Sequence, residues 1–79
     1  MDVDMASKKF EKGSEEYEFF KDFYNFMQKY WIPEEEDEWW EEVVRESGIL
    51  INKHNTRLAR DMFQAFELSR DRVLKGEKA

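Results

Sequence analysis

Between Tyr17 and Trp31 the chain carries nine large apolar side chains in fifteen residues, and their spacing leaves few folds open. Tyr17, Phe20, Tyr24, Met27 and Trp31 recur at steps of three and four, and Phe19, Phe23, Phe26 and Tyr30 form a second stripe beside them. At about 100° per residue the nine fill one half of a helix, while Glu18, Lys21, Asp22, Asn25, Gln28 and Lys29 fill the other. Ser14 suits the N-cap, and Glu15 and Glu16 suit a first turn whose exposed N–H groups favour negative charge. Pro33 has no N–H to donate and disfavours helical geometry at Ile32, so this helix is expected to end near Trp31.

Two further helical segments follow. Glu34 to Glu38 place acid at the start of a second helix, on which Trp40, Val43, Ser47, Leu50 and His54 share a face with Val44 and Ile51 at its margin. That helix must pass through Gly48, which costs about 1 kcal/mol relative to Ala. Asn55 suits a left-handed C-terminal position and Thr56 an N-cap, so a tight connection leads into a third helix burying Leu58, Ala59, Met62, Phe63, Ala65, Phe66, Ser69 and Val73. The expected architecture is all-α, an antiparallel three-helix bundle over residues 14–76 with helices near 15–31, 35–54 and 57–75. Residues 1–13, with Phe10 the one large apolar side chain after Met5, are read as a flexible tail, and residues 77–79 as a second short one.

Charge and composition then limit function. With 79 residues and 41% hydrophobic content there is material for one core. The absence of cysteine removes disulfides, thiolate chemistry and the common structural zinc sites. The longest uninterrupted apolar run, Gly48 to Ile51, is far short of the roughly 18 residues that cross a bilayer, and the first ten residues lack the apolar stretch of a signal peptide. A soluble, cytoplasmic chain with no membrane partner is expected. The net charge of −6 argues against direct nucleic-acid binding. Residues 14–46 hold twelve acids against Lys21, Lys29 and Arg45, whereas residues 53–79 hold seven bases against Asp61, Glu67, Asp71 and Glu77. Folding the basic third onto the acidic middle lets the two attract, although exposed pairs contribute only about 0 to 1 kcal/mol each.

No constellation of residues announces catalysis. His54 is the single histidine, so neither a His-based metal triad nor a Ser-His-Asp arrangement can be assembled within one chain, and its expected role is structural, against the last carbonyls of helix 2 or a neighbouring side chain. The acidic run Glu34 to Glu38, with Glu41 and Glu42, lacks the ligand alternation and central glycine of a calcium loop, and reads as solvated helix surface or as an acidic docking surface. A helix-turn-helix over residues 40–75 fails because the outward positions of its second helix, Arg57, Arg60, Asp61, Gln64, Glu67, Leu68 and Asp71, mix both signs. Gly13, Gly48 and Gly76 lie too far apart for a phosphate-binding loop. Neither an enzyme nor any cofactor is expected.

The segments EFFKDFYNFMQKYW, IPEEEDEWWEEVVRES and RLARDMFQAFELSRDR together resemble small helical proteins encoded in bacterial prophages and conjugative elements, particularly of gut Firmicutes. Those read as an aromatic FYKKYW-like helix, an acidic turn with Trp and a closing helix rich in Leu and Arg. The resemblance spans about residues 17–74, and Gly48 departs from the uninterrupted second helix it leads one to expect. It implies a context, an accessory protein of a mobile element acting on a host or rival system, and assigns no residue a role. The residues themselves point to a protein-binding module. Eight of the 13 aromatic residues crowd the first helix, giving an apolar face broader than two partner helices readily cover. The expected contact surface is the corner formed by Trp31, Ile32 and Trp39 with the adjoining Glu35, Glu38 and Glu42, offered to a protein partner or to a second copy in a homodimer. The alternative is an acidic inhibitor of the DNA-mimic or anti-CRISPR type, occupying the phosphate-binding channel of a nucleic-acid-binding protein.

Overall fold

The computed structural model describes residues 8–78, over which the chain forms three helices and no strand. They are α1 (Glu15–Lys29), α2 (Asp37–His54) and α3 (Arg57–Leu74). Each packs on the other two, so the all-α three-helix bundle is the observed architecture. Residues 1–7 of the expected tail, and Ala79, lie outside the described residues. From Lys8 to Gly13 the chain is not helical, and the Phe10 ring stacks on Phe20 with centroids 5.5 Å apart.

Helix ends follow local chemistry. At the start of α1 the Ser14 hydroxyl accepts the Tyr17 N–H at 3.2 Å, and Glu15, Glu16 and Glu18 occupy the first turn. The helix stops at Lys29, with Tyr30 as its C-cap, two residues before Trp31. Beyond it, the Trp31 carbonyl accepts from the guanidinium of Arg70 on α3. α2 begins at Asp37, with Glu36 as an N-cap that makes no side-chain capping bond, and runs unbroken through Gly48. Asn55 closes it in the left-handed region at φ 47°, donating its N–H to the Ile51 carbonyl at 2.7 Å. One residue later the Thr56 hydroxyl accepts the Ala59 N–H at 3.0 Å and opens α3. α3 ends in a Schellman motif, in which Gly76 at φ 96° donates to Val73 and Glu77 donates to Arg72, both at 3.0 Å.

The core is an aromatic cluster drawn from all three helices. Phe19, Phe23, Phe26 and Tyr30 of α1 and its C-cap meet Trp39 and Val43 of α2 and Ala59, Phe63 and Phe66 of α3. Phe63 is fully buried, and Phe19, Phe23 and Phe26 meet it edge to face at centroid distances of 6.2, 5.1 and 4.9 Å. Such contacts add about 0.5–1.5 kcal/mol each to the effect of burial alone. Of the two α1 stripes, the one containing Phe19, Phe23, Phe26 and Tyr30 is therefore the inner one. In the other, Phe20, Tyr24 and Trp31 stay exposed. On α3, Leu58 and Ala65 are exposed rather than buried, and Arg70 takes a core position instead.

Contacts of residues distant in sequence fix an up-down-up path. Asp22 and Lys29 of α1 meet Lys53 and Glu46 of α2 in antiparallel order, while Phe23 and Phe26 meet Phe63 and Phe66 of α3 in parallel order. The attraction expected between the acidic middle and the basic third is realised once, in Lys53–Asp22, which His54 joins. Among the described residues no ion pair links α3 to either other helix.

Candidate functional site

Helix geometry carries the outer stripe of α1 along the bundle to the corner where the chain turns toward α2. Tyr24 and Met27 lie on this face, followed by Trp31 and Ile32 just past the C-cap, and with Gln28 they line a shallow depression. Tyr24 is 59% exposed, Trp31 48% and Ile32 79%. Ile32 lies beyond the end of α1, where Pro33 disfavours helical geometry at the residue before it.

Trp31 is exposed yet held. Its indole lies 4.2 Å from the guanidinium carbon of Arg70 and stacks at 30° on Phe66, 6.4 Å between centroids. Arg70 is only 2% exposed, and it also reaches the Trp31 carbonyl and the Ser69 hydroxyl. No carboxylate pairs with it among the described residues, so its charge is met by a carbonyl, a hydroxyl and two aromatic faces. Sequence reasoning missed Arg70. The signal was present, since Phe63, Phe66 and Arg70 stand at helical spacing and place a cation on the apolar stripe of α3.

Trp39 does not belong to this surface. It is 8% exposed, standing edge-on to Tyr30 at 5.7 Å and to Trp40 at 4.6 Å. The expected Trp31, Ile32, Trp39 corner is thus corrected to Trp31 and Ile32, with Tyr24 and Met27 in place of Trp39. Either neighbouring tryptophan is compatible with Val43 and Ser47 on one helical face, and the ring of Tyr30 selects Trp39. Trp40 turns toward α3 and stays partly buried. Glu35, Glu38 and Glu42 are exposed, as are Glu34, Glu36, Asp37 and Glu41, and none of the seven forms an ion pair among the described residues. Glu38 and Glu42 are four apart and share one face of α2.

A second group of polar contacts lies along the α1–α2 seam. Asp22 accepts from Lys53 at 2.8 Å and lies 2.8 Å from Nε2 of His54, whose side chain is nearly buried against the edge of Phe19. Burial opposes ionisation of Asp22, but hydrogen bonds and charge from Lys53 and His54 outweigh it and hold the carboxyl below its usual value. The same bond raises the Lys53 ammonium above its usual value. Two turns away, Glu46 accepts from Lys29 at 3.0 Å and from the Tyr30 hydroxyl. These bonds link helices and leave His54 oriented by Asp22. Among the described residues no three His, Cys, Asp or Glu side chains are grouped to hold a metal ion, and no helix is long and apolar enough to cross a membrane. No protein-family model, curated protein or solved structure matches the chain.

Proposed function

We propose that this chain is a non-enzymatic helical protein–protein interaction module, an accessory protein of a phage or other mobile element, which docks through the outer face of α1 and the corner beyond it. The observation that carries this reading is Trp31, whose ring is half open to solvent while Phe66 and Arg70 hold it. A large ring fixed before a partner arrives loses little side-chain freedom on binding, and tryptophan is enriched among the residues that dominate interface energetics. Ile32 adjoins it, Tyr24 and Met27 extend the apolar area, and the acidic segment after Pro33 supplies a charged rim. The mobile-element context rests on the resemblance of the three helical segments. The partner is a protein or a second copy of the chain.

Replacing Trp31→Ala together with Ile32→Asp, both exposed, is expected to reduce capture of the partner by about tenfold or more, or to convert a dimer into monomer in sedimentation. A monomeric wild-type chain that captures the same proteins as the double variant would refute this reading.

One observation favours a second reading, an acidic inhibitor that occupies a phosphate-binding channel. The carboxylates from Glu34 to Glu42 are exposed and free of ion pairs among the described residues, so their field reaches solvent unneutralised. Such binding weakens steeply with added salt, over a screening length of about 8 Å at physiological ionic strength. Reversing Glu35, Glu38 and Glu42 to Lys should abolish it. Affinity that survives both the reversal and high salt assigns the contact to the apolar face.

A further inference from the structure

A hollow of about 370 Å³ opens at the end of the bundle remote from the Trp31 corner, between the segment before α1, the first turns of α1 and the link from α2 to α3. Its walls are the rings of Phe10, Phe19 and Phe20 and the side chain of Leu58. The segment before α1 is folded back by a turn in which Ser14 donates its N–H to the Glu11 carbonyl at 3.0 Å, with Gly13 at φ 92°, a conformation that side chains disfavour. That turn brings Phe10 onto Phe20 and adds a wall the helices alone do not supply. The volume falls within the roughly 300–1,000 Å³ of small-molecule sites, which set a few polar atoms among apolar walls.

One polar atom faces this hollow without a partner. His54 lines it, and only 7% of its side chain is exposed. Nε2 lies 2.8 Å from Oδ2 of Asp22, an acid that also accepts from Lys53. The ionised carboxylate can only accept, so Nε2 carries the proton and, in the neutral ring, Nδ1 keeps the lone pair. Nδ1 has no hydrogen-bond partner among the described residues, and no side-chain nitrogen or oxygen there is both buried and unpartnered, so Nδ1 is open to the hollow.

The charges around the hollow are already answered: Lys53 by Asp22, Glu16 by Lys8, and Glu18 by Lys21 at 3.8 Å. Glu15 alone at the rim stays unpaired among the described residues, and it is exposed. An anion therefore finds no free ammonium, and a cation would leave water for one solvated carboxylate. A neutral guest gains from the aromatic walls and loses nothing to charge. A guest without a donor would cover Nδ1 and leave a buried acceptor unpaired, so the site selects for an N–H or O–H. We infer that this hollow binds a small neutral aromatic molecule, of one or two fused rings, whose N–H or O–H donates to Nδ1 of His54.

The test titrates the full, isotopically labelled chain with indole and its relatives. His54 is the single histidine, so its ring nitrogens give an unambiguous magnetic-resonance signal. Indole is expected to bind saturably and to move the Nδ1 signal together with the Gly13 and Leu58 amides. It should bind about tenfold more tightly than N-methylindole, which keeps the rings but cannot donate. Tryptamine and indole-acetate keep the N–H and add a cation or an anion, and neither should bind more tightly than indole. His54→Phe leaves a planar ring against Phe19 without the acceptor, and should bring indole and N-methylindole to equal affinity. Leu58→Trp, at a position 53% exposed, should fill the hollow and abolish binding in a folded chain. Trp31→Ala should leave indole binding unchanged, which separates this site from the α1 face. Equal affinity of the wild-type chain for the two indoles, a preference that persists in His54→Phe, tighter binding of either charged relative, shifts confined to Tyr24–Ile32, or no saturable binding would each overturn the inference.

Discussion

Arg70 and Trp31 show how one pair of side chains ties a surface feature to the interior. The guanidinium both stacks on the indole and donates to the Trp31 carbonyl, so a buried cation fixes an exposed ring. Arg70→Ala would leave that carbonyl without its donor and open space beneath the indole, at an expected cost of about 2–4 kcal/mol in urea unfolding. Arg70→Lys should restore only part of this, because an ammonium cannot stack as a plane while donating in a fixed fork. Gly48 offers the opposite case. It lies inside a continuous α2, and a methyl group added there meets nothing within 4 Å. Gly48→Ala should therefore stabilise the chain by about 1 kcal/mol, raising the thermal midpoint by about 4–8 °C.

At the scale of elements, the α1–α2 seam carries the cross-helix charge and gives stability a defined pH dependence. The Asp22 carboxyl lies below its usual value in the folded chain, against desolvation, because Lys53 and His54 bond to it. Its contribution is complete above the unfolded carboxylate value, near about pH 4, and is lost as pH falls through the lower folded value. Asp22→Asn should be less stable at neutral pH and lose less stability on acidification below that point. Denaturation at stepped pH that shows equal slopes for both proteins would contradict this. The start of α2 supplies a second check. Since Trp39 is in the core and Trp31 at the surface, Trp39→Ala should cost about 3–5 kcal/mol and Trp31→Ala far less. Comparing the two variants separates core from docking face.

For the whole molecule, three helices joined by short links give contacts of small sequence separation along α1–α2 and α2–α3, with the α1–α3 packing added by the up-down-up path. Folding should be two-state and complete within microseconds to milliseconds, which a temperature-jump trace with a single exponential would check. The bundle also keeps its charges apart. The acidic run at the start of α2 and the arginines of α3 form no ion pairs among the described residues, so the polarity written along the chain persists on the folded surface. The proposed docking corner beyond α1 leads into the acidic run after Pro33, which gives a basic partner the advantage in encounter.

What the sequence determined by itself was the set of helices and their caps. Periodicity, Ser14, Pro33, Asn55 and Thr56 act through bonds and angles only a few residues long, and such local rules are readable without a partner helix. Just past the α1 C-cap such rules run out, since the Trp31 carbonyl finds its donor in a residue 39 positions away. Which of two α1 stripes turned inward, which of Trp39 and Trp40 met Tyr30, and that a cation would occupy the core were decided in the bundle. Each depends on the shape and hydrogen-bonding groups of a facing helix, and a side chain that satisfies its own helix equally well in two arrangements is fixed only when that neighbour arrives.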